Sequence, residues 1–171
     1  MDHFERDRAL LSLTLLVDTR EQDTPRSRER YAQFNMPYER HKLAFGDYSA
    51  KVTTDSGEEI SLCNRYVIER KMNLDELCAC FGRERKRFER EFLRARENGA
   101  RICLMIENAS WEAAYAGKYR SKMSAKSLIS SMTAWMQRYD CQIIMCREET
   151  SGKLIAELLY RAMKEHLTED E

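Results

Sequence analysis

Glu69 and Lys71 stand two residues apart at the end of the apolar run Tyr66-Val67-Ile68, and a helix-start signal follows at Asn73. A buried strand over this stretch delivers a carboxylate and an ammonium to its polar end. Side chains alternate along a strand, so Glu69 and Lys71 share one side while Arg70 faces the other. Such a pair suits metal-dependent phosphodiester hydrolysis: the carboxylate holds the cation, and the lysine orients or polarises the attacking water or a phosphate oxygen. The same spacing also describes a strand-end salt bridge, the commoner meaning of so short a motif.

Other acids end other strands. Asp18 and Glu21 follow the apolar run Leu10 to Val17, and Asp47 follows Gly46, which allows a tight bend directly before the carboxylate. In an open α/β sheet, strand ends of this kind converge on the usual address of a site. Asp47 and Glu69 are the stronger pair, being joined by hairpin-like chain. Two close carboxylates beside a lysine repel unless a divalent cation lies between them. Oxygen ligands favour Mg²⁺, with Mn²⁺ as substitute, over zinc. The Arg70 carbonyl is a further candidate ligand if the turn into the helix leaves it unpaired.

The elements that position these groups follow from pattern. Residues 1–12 read as a polar N-terminal lead, with Met1 to Arg8 loose and the first strand running from Leu10 to Val17. Thr24-Pro25 signals a short helix over Ser27 to Phe34. Strands follow at Tyr38 to Leu43, Tyr48 to Thr54 and Glu59 to Cys63, the last two forming a hairpin. Asn73 and Glu76 resemble a capping box opening a helix with Leu74, Leu77, Cys78 and Phe81 on its apolar face. Gly82 breaks it, and Arg83 to Asn98 continues as helix up to Gly99. Arg101 to Glu107 is a buried strand ending in acid. Helix then loop covers Asn108 to Arg120. An amphipathic helix spans Ser124 to Tyr139, Cys141 to Cys146 is a strand, and Ser151 caps a last helix; Glu169 to Glu171 should fray. Strands alternating with helices imply an α/β/α sandwich around a central mixed sheet.

The chain has 171 residues, 43% hydrophobic and 34% charged, which fits one folded domain rather than a disordered chain. Lys plus Arg equals Asp plus Glu at 29 each, so net charge gives no sign of nucleic acid. Its distribution does: basic residues outnumber acids between Arg83 and Arg101, and acids outnumber bases from Glu148 onward. The six cysteines lack C-x-x-C spacing and read as buried thiols of a reducing cytosol, so the expected location is cytoplasmic or nucleoid-associated. The charged opening Asp2 to Arg8 is unlike a secretory leader, and no apolar run approaches membrane-span length. The three histidines are scattered, and the Met132, Trp135 and Met136 stripe reads as core or dimer interface.

Taken in order, V-D-T-R-E (Val17 to Glu21), G-D (Gly46, Asp47) and I-E-R-K-x-x-x-D (Ile68 to Asp75) resemble the nuclease domain of XPF-type structure-specific DNA endonucleases. The phenylalanine-rich basic helix and the strand C-L-M-I-E (Cys103 to Glu107) also sit where that family has a helix and an L-L-I-E strand. The resemblance covers roughly Leu13 to Arg147. It implies a restriction-endonuclease-like fold over 13–167, followed by an acidic tail at 168–171. It implies Mg²⁺-dependent endonuclease cleavage of phosphodiester bonds at branched DNA, flaps or forks, in repair or recombination. Carried over, Asp47 and Glu69 are metal ligands, Asp18 supports the metal or its water, and Lys71 acts on the nucleophile or transition-state charge. Arg20, Glu21, Arg70 and Asp75 order the loop and meet the scissile phosphate. Asp75 reads equally as a first-turn acid favoured by the helix dipole.

Family members usually dimerise through late helices, here Ser124 to Tyr139 and Ser151 to Leu167. They commonly append a tandem helix-hairpin-helix module, and this sequence shows no such G-x-G hairpins. DNA grip is therefore expected from Arg83, Arg85, Lys86, Arg87, Arg90 and Arg94, or from a separate DNA-binding partner, with salt-dependent, sequence-blind contacts. That basic run also reads as a solvated helix face. Two further function classes stay open: a non-catalytic DNA-binding subunit, and a junction-resolving or restriction-type nuclease of the same fold.

Overall fold

The central strand of the computed structural model, which describes residues 2–169, is the one that carries Glu69 and Lys71. β1 (Thr14–Asp18), β2 (Tyr38–His41), β3 (Tyr48–Thr53), β4 (Glu59–Ser61), β5 (Tyr66–Lys71), β6 (Arg101–Glu107) and β7 (Gln142–Cys146) form one seven-stranded sheet. Its order is β2-β1-β3-β5-β6-β7, with β4 paired to β3. β3 is antiparallel to β1, β4 and β5, whereas β1–β2, β5–β6 and β6–β7 are parallel. The sheet is mixed, and helices flank it as the alternating pattern implied.

Both faces of the central strands are covered, which is why β1 and β6 read as nearly unbroken apolar runs. One face gathers Leu15, Val17, Tyr48, Ala50, Ile68, Cys103 and Met105 against α1 (His3–Leu11), α2 (Pro25–Ala32) and α7 (Glu148–Glu169). The other packs Val67, Ile102, Leu104 and Ile106 against α3 (Leu74–Phe81), α4 (Arg85–Glu97) and α6 (Ala125–Tyr139), with α5 (Trp111–Tyr115) beside them. The two-residue period of β5 therefore sends Glu69 and Lys71 toward α4, and Arg70 toward α2 and α7.

Several expectations need correction. The N-terminal lead is helical over His3–Leu11: Asp2 and Glu5 form a reciprocal capping box, and Ala9 and Leu10 are buried in the core. The first strand consequently starts at Thr14, not Leu10. The last helix starts at Glu148, three residues before Ser151, which is fully buried with its Oγ donating to the Glu148 carbonyl. Gly152 sits inside that helix because α2 crosses it closely; a Cβ there would lie 2.2 Å from the Arg30 carbonyl oxygen. The Arg83–Asn98 helix shortens to Arg85–Glu97. Asn73 caps α3 as expected, but Glu76 reaches the Met72 N–H rather than that of Asn73. Met132 and Trp135 are core, with Trp135 ringed by Phe81, Phe88 and Phe92. The six cysteines are free thiols. Among the described residues no helix is long and apolar enough to cross a membrane. Of the three C-terminal residues expected to fray, Glu169 is the last residue of α7, and residues 170–171 lie outside the described residues.

Candidate active site

β3 ends where the catalytic-type residues begin. Tyr48 opposite Ile68 is its only register pair with β5, and the chain then turns away through Gly46. Asp47 sits in that turn, half-buried. Its N–H donates to the Ile68 carbonyl at 2.8 Å, and its Oδ2 accepts from the Arg70 N–H at 2.7 Å. These bonds clip Asp47 to the β3-facing edge of β5, at the residues on either side of Glu69. N–H and C=O of one strand residue point to the same edge, so the Arg70 carbonyl projects beside Asp47, past the last β3–β5 pair. Gly46 is required for the turn: its φ is +74°, and a Cβ would come within 2.8 Å of Val67 Cγ2. Its N–H donates to Glu91 Oε1 at 2.9 Å, which ties the turn to α4.

Glu69 and Lys71 are 5% and 8% exposed, and their carboxylate and ammonium form an ion pair. The ammonium lies 5.2 Å from the centre of the Phe88 ring on α4. Burial pushes the Glu69 carboxyl up to about 7, against the downward pull of Lys71, with Glu91 adding to the rise. Asp47 is raised well above the usual carboxylate range by burial, then by the Glu69 and Glu21 charges. Burial works against the Lys71 charge, yet Glu69, Cys80 and Asp47 hold it above the ordinary lysine value. Carboxylates crowded this way are stabilised in their ionised form by a cation. Among the described residues no group of three or more His, Cys, Asp or Glu side chains gathers as a metal set. The available donors are the Asp47 and Glu69 carboxylates and the Arg70 carbonyl. An all-oxygen set with few protein ligands fits a hard ion that keeps its own waters, such as Mg²⁺.

The other signature residues do different work. Asp18 is 1% exposed; its Oδ1 accepts from the Arg20 N–H (2.8 Å) and Arg20 Nε (2.6 Å), and its Oδ2 from the Leu43 N–H (2.7 Å). Burial raises the Asp18 carboxyl, but these bonds outweigh it and leave it below its ordinary value. Asp18 thus fastens two loops together, and its N–H donates to the Asp47 carbonyl at 2.8 Å. Glu21 accepts from Tyr48 Oη at 3.0 Å and lies 4.0 Å from Arg70 Nη2. Asp75 accepts from the Arg120 and Ser121 N–H groups, anchoring the loop before α6 to the start of α3.

Sequence reasoning missed a buried charge network behind β5. Arg30, 4% exposed, donates through Nε to Glu107 Oε1 (3.1 Å) and through Nη1 to Tyr48 Oη (3.2 Å). Arg70 Nη1 donates to Glu107 Oε2 at 3.1 Å. Glu107 is fully buried; burial raises its carboxyl, yet Ser151, Arg30 and Arg70 keep it low. The acid ending β6 was the only visible signal. Glu91 was hidden among the charges of α4.

The basic residues divide. Lys86, Arg90 and Arg94 recur every fourth residue along one exposed stripe of α4, with Arg83 and Arg87 exposed at its start and Arg87 paired to Glu84. Arg85 instead stacks on Trp135 at 5.0 Å. The stripe lies on the helix that also supplies Glu91 and Phe88 to the site.

Comparison with known proteins bears on this arrangement. A family model described as "ERCC4 domain" matches residues 17–158. Among solved structures, XPF from Aeropyrum pernix superposes with a TM-score of 0.62 at 18% identity, covering 87% of this chain and 64% of that one. XPF from Aeropyrum pernix in complex with DNA gives 0.61 at 19% identity, covering 89% and 65%. The chain therefore spans about two thirds of the length of these structures, and at such identity they establish the restriction-endonuclease-like fold. No curated protein matches it by sequence. With the family match running from the end of β1 into α7, the chain belongs to the ERCC4 domain family.

Proposed function

We propose that this domain is a Mg²⁺-dependent DNA endonuclease that cuts at branched DNA, flaps or forks, in repair or recombination. The observation that carries the reading is the meeting of Asp47, Glu69 and Lys71 at one strand end, with Asp47 clipped to the Arg70 N–H. Asp47, Glu69 and the Arg70 carbonyl would hold the cation. A divalent ion there supplies charge to a phosphate oxygen and acidity to a water. Lys71 is fixed by Glu69 and the Phe88 ring, so its ammonium meets developing negative charge without reorganising. The Glu107–Arg70 bond and the Asp47–Arg70 bond hold both ends of residue 70, which keeps the carboxylates in register.

The Lys86, Arg90 and Arg94 stripe, with Arg83 and Arg87, suits a sugar-phosphate backbone and carries no means of reading bases. The relative solved with DNA supports this use of the fold. Met36, Leu154, Leu158 and Tyr160 line an apolar groove of about 540 Å³ along α7, which supports a homodimer contact there; a separate DNA-binding subunit is the other partner the reading allows. The test is cleavage of single-stranded, duplex, flap, fork and four-way DNA with Mg²⁺ or with EDTA. Nicking of flap or fork DNA that EDTA stops is the expected result. Preference for four-way DNA would favour a junction resolvase, and cleavage that persists in EDTA would overturn the metal-dependent reading.

A further inference from the structure

At the opposite end of β5, roughly 17 Å from Lys71 at about 3.3 Å per residue, the sheet opens into a second cavity of about 470 Å³. Its walls come from the start of β5, β6 and β7 and from the last turns of α7. Arg65 and Arg101 stand side by side at its mouth, joined by the Arg101 N–H donating to the Arg65 carbonyl at 2.8 Å. Both side chains are exposed, and among the described residues neither has a carboxylate partner. A third guanidinium, Arg161, is matched by Glu165 one turn on. The cavity mouth thus carries two guanidiniums without a carboxylate partner that the cleavage chemistry does not use, beside the Arg161–Glu165 pair in its wall.

The remaining lining is selective as well as basic. The Arg101 guanidinium lies over the Tyr66 ring, 5.5 Å from its centre, within cation–π range. Tyr66 Oη donates to Gln142 Oε1 at 3.4 Å, leaving the carboxamide N–H₂ as a donor. His166 is 8% exposed, lines the cavity, and its Nδ1 has no hydrogen-bond partner. Buried polar atoms of this kind are rare in a finished fold. Leu62, Leu158 and Ala162 give an apolar wall. The volume exceeds what a bare phosphate fills and falls within the range of small-molecule sites.

We propose that this cavity binds a nucleoside monophosphate group, with its phosphate on Arg65 and Arg101 and its sugar and base against the apolar wall of Leu158 and Ala162. Planar guanidiniums hold phosphate oxygens in paired hydrogen bonds. The same group is presented by a free nucleotide and by a nucleotide within a DNA strand, and the two sources separate by experiment.

The whole protein is titrated with deoxyadenosine 5′-monophosphate, with deoxyadenosine, and with a single-stranded oligonucleotide, in EDTA. Heat and the His166 imidazole NMR signals are followed. Saturable binding of the monophosphate that moves His166, with none for deoxyadenosine, supports a free nucleotide. A His166 response to the oligonucleotide alone supports a strand phosphate. In either case the Arg65→Gln, Arg101→Gln double variant, altered only at exposed positions, loses about tenfold or more in affinity. Absence of a saturable His166 response to every probe, equal binding of deoxyadenosine, or unchanged affinity in the double variant would overturn the assignment.

Discussion

Replacing Gly46 by alanine separates two costs that the turn before Asp47 combines. The backbone there has φ of +74°, and an L side chain in the left-handed region costs about 1–2 kcal/mol. The new Cβ also falls 2.8 Å from Val67 Cγ2, 3.0 Å from Val67 Cβ and 3.3 Å from the Ile68 carbonyl oxygen. Val67 is fully buried and cannot move freely, so overpacking adds about 1–3 kcal/mol. Gly57 supplies the control: its φ is +83°, but nothing lies within 4 Å of a Cβ built on it. Gly57→Ala should therefore lose about 1–2 kcal/mol and Gly46→Ala about 2–5 kcal/mol. With a urea slope of about 2 kcal/mol/M, the midpoint of Gly46→Ala falls below that of Gly57→Ala by roughly 0.5–1.5 M. Relief of the clash also pushes Asp47 off the Ile68 carbonyl, so nicking should fall for Gly46→Ala and hold for Gly57→Ala. Equal urea midpoints for the two variants would refute the packing argument.

Three further outcomes follow from the charges. Glu107→Ala leaves Arg30 buried beside a lost partner and should cost about 3–5 kcal/mol in urea unfolding; a loss below 1 kcal/mol, about the value of a surface pair, would mean the network is dispensable. Glu69 keeps its proton in the native state up to about pH 7, whereas the unfolded chain releases it near 4.5. The unfolded state then binds fewer protons across that window, so in EDTA stability should fall as pH rises from about 4.5 to 7, and Glu69→Gln should flatten the slope. Asp47 shifts in the same direction and leaves a residual slope in that variant. Lys86→Ala, Arg90→Ala and Arg94→Ala should each shallow the log–log salt dependence of duplex binding by about 0.9, read by fluorescence anisotropy; an unchanged slope would place the DNA elsewhere.

Short-range rules made much of this molecule legible. Alternation alone put Glu69 and Lys71 on one face of β5 and Arg70 on the other, and Asn73 announced the start of α3. The order of acids along the chain anticipated which strand ends meet. What stayed hidden depends on distant partners. Arg30 and Glu107 are 77 positions apart, and no local pattern marks either as half of a buried pair. The strand-end address marked Asp18 as a site candidate and the family resemblance gave it support of the metal or its water, but its bonds to the Arg20 and Leu43 N–H groups form only once the folded loops come together. α1 escaped because its apolar content is low and its capping box lies within a run of charges. Glu91 sits where the apolar and basic faces of α4 meet, and its bond to Gly46 crosses 45 positions.

The proposed cleavage requires Asp47 to work with Glu69 and Lys71 in one cation-holding pocket. Asp47→Asn keeps an oxygen for the Arg70 N–H and removes only the charge, so the protein should fold as before. The decisive measurement is the Mg²⁺-dependent nicking rate of that variant on a flap substrate beside the unaltered protein. A loss of about a hundredfold or more is expected for removal of a metal-binding carboxylate at a hydrolytic centre. Nicking at the unaltered rate by the folded variant would contradict the account.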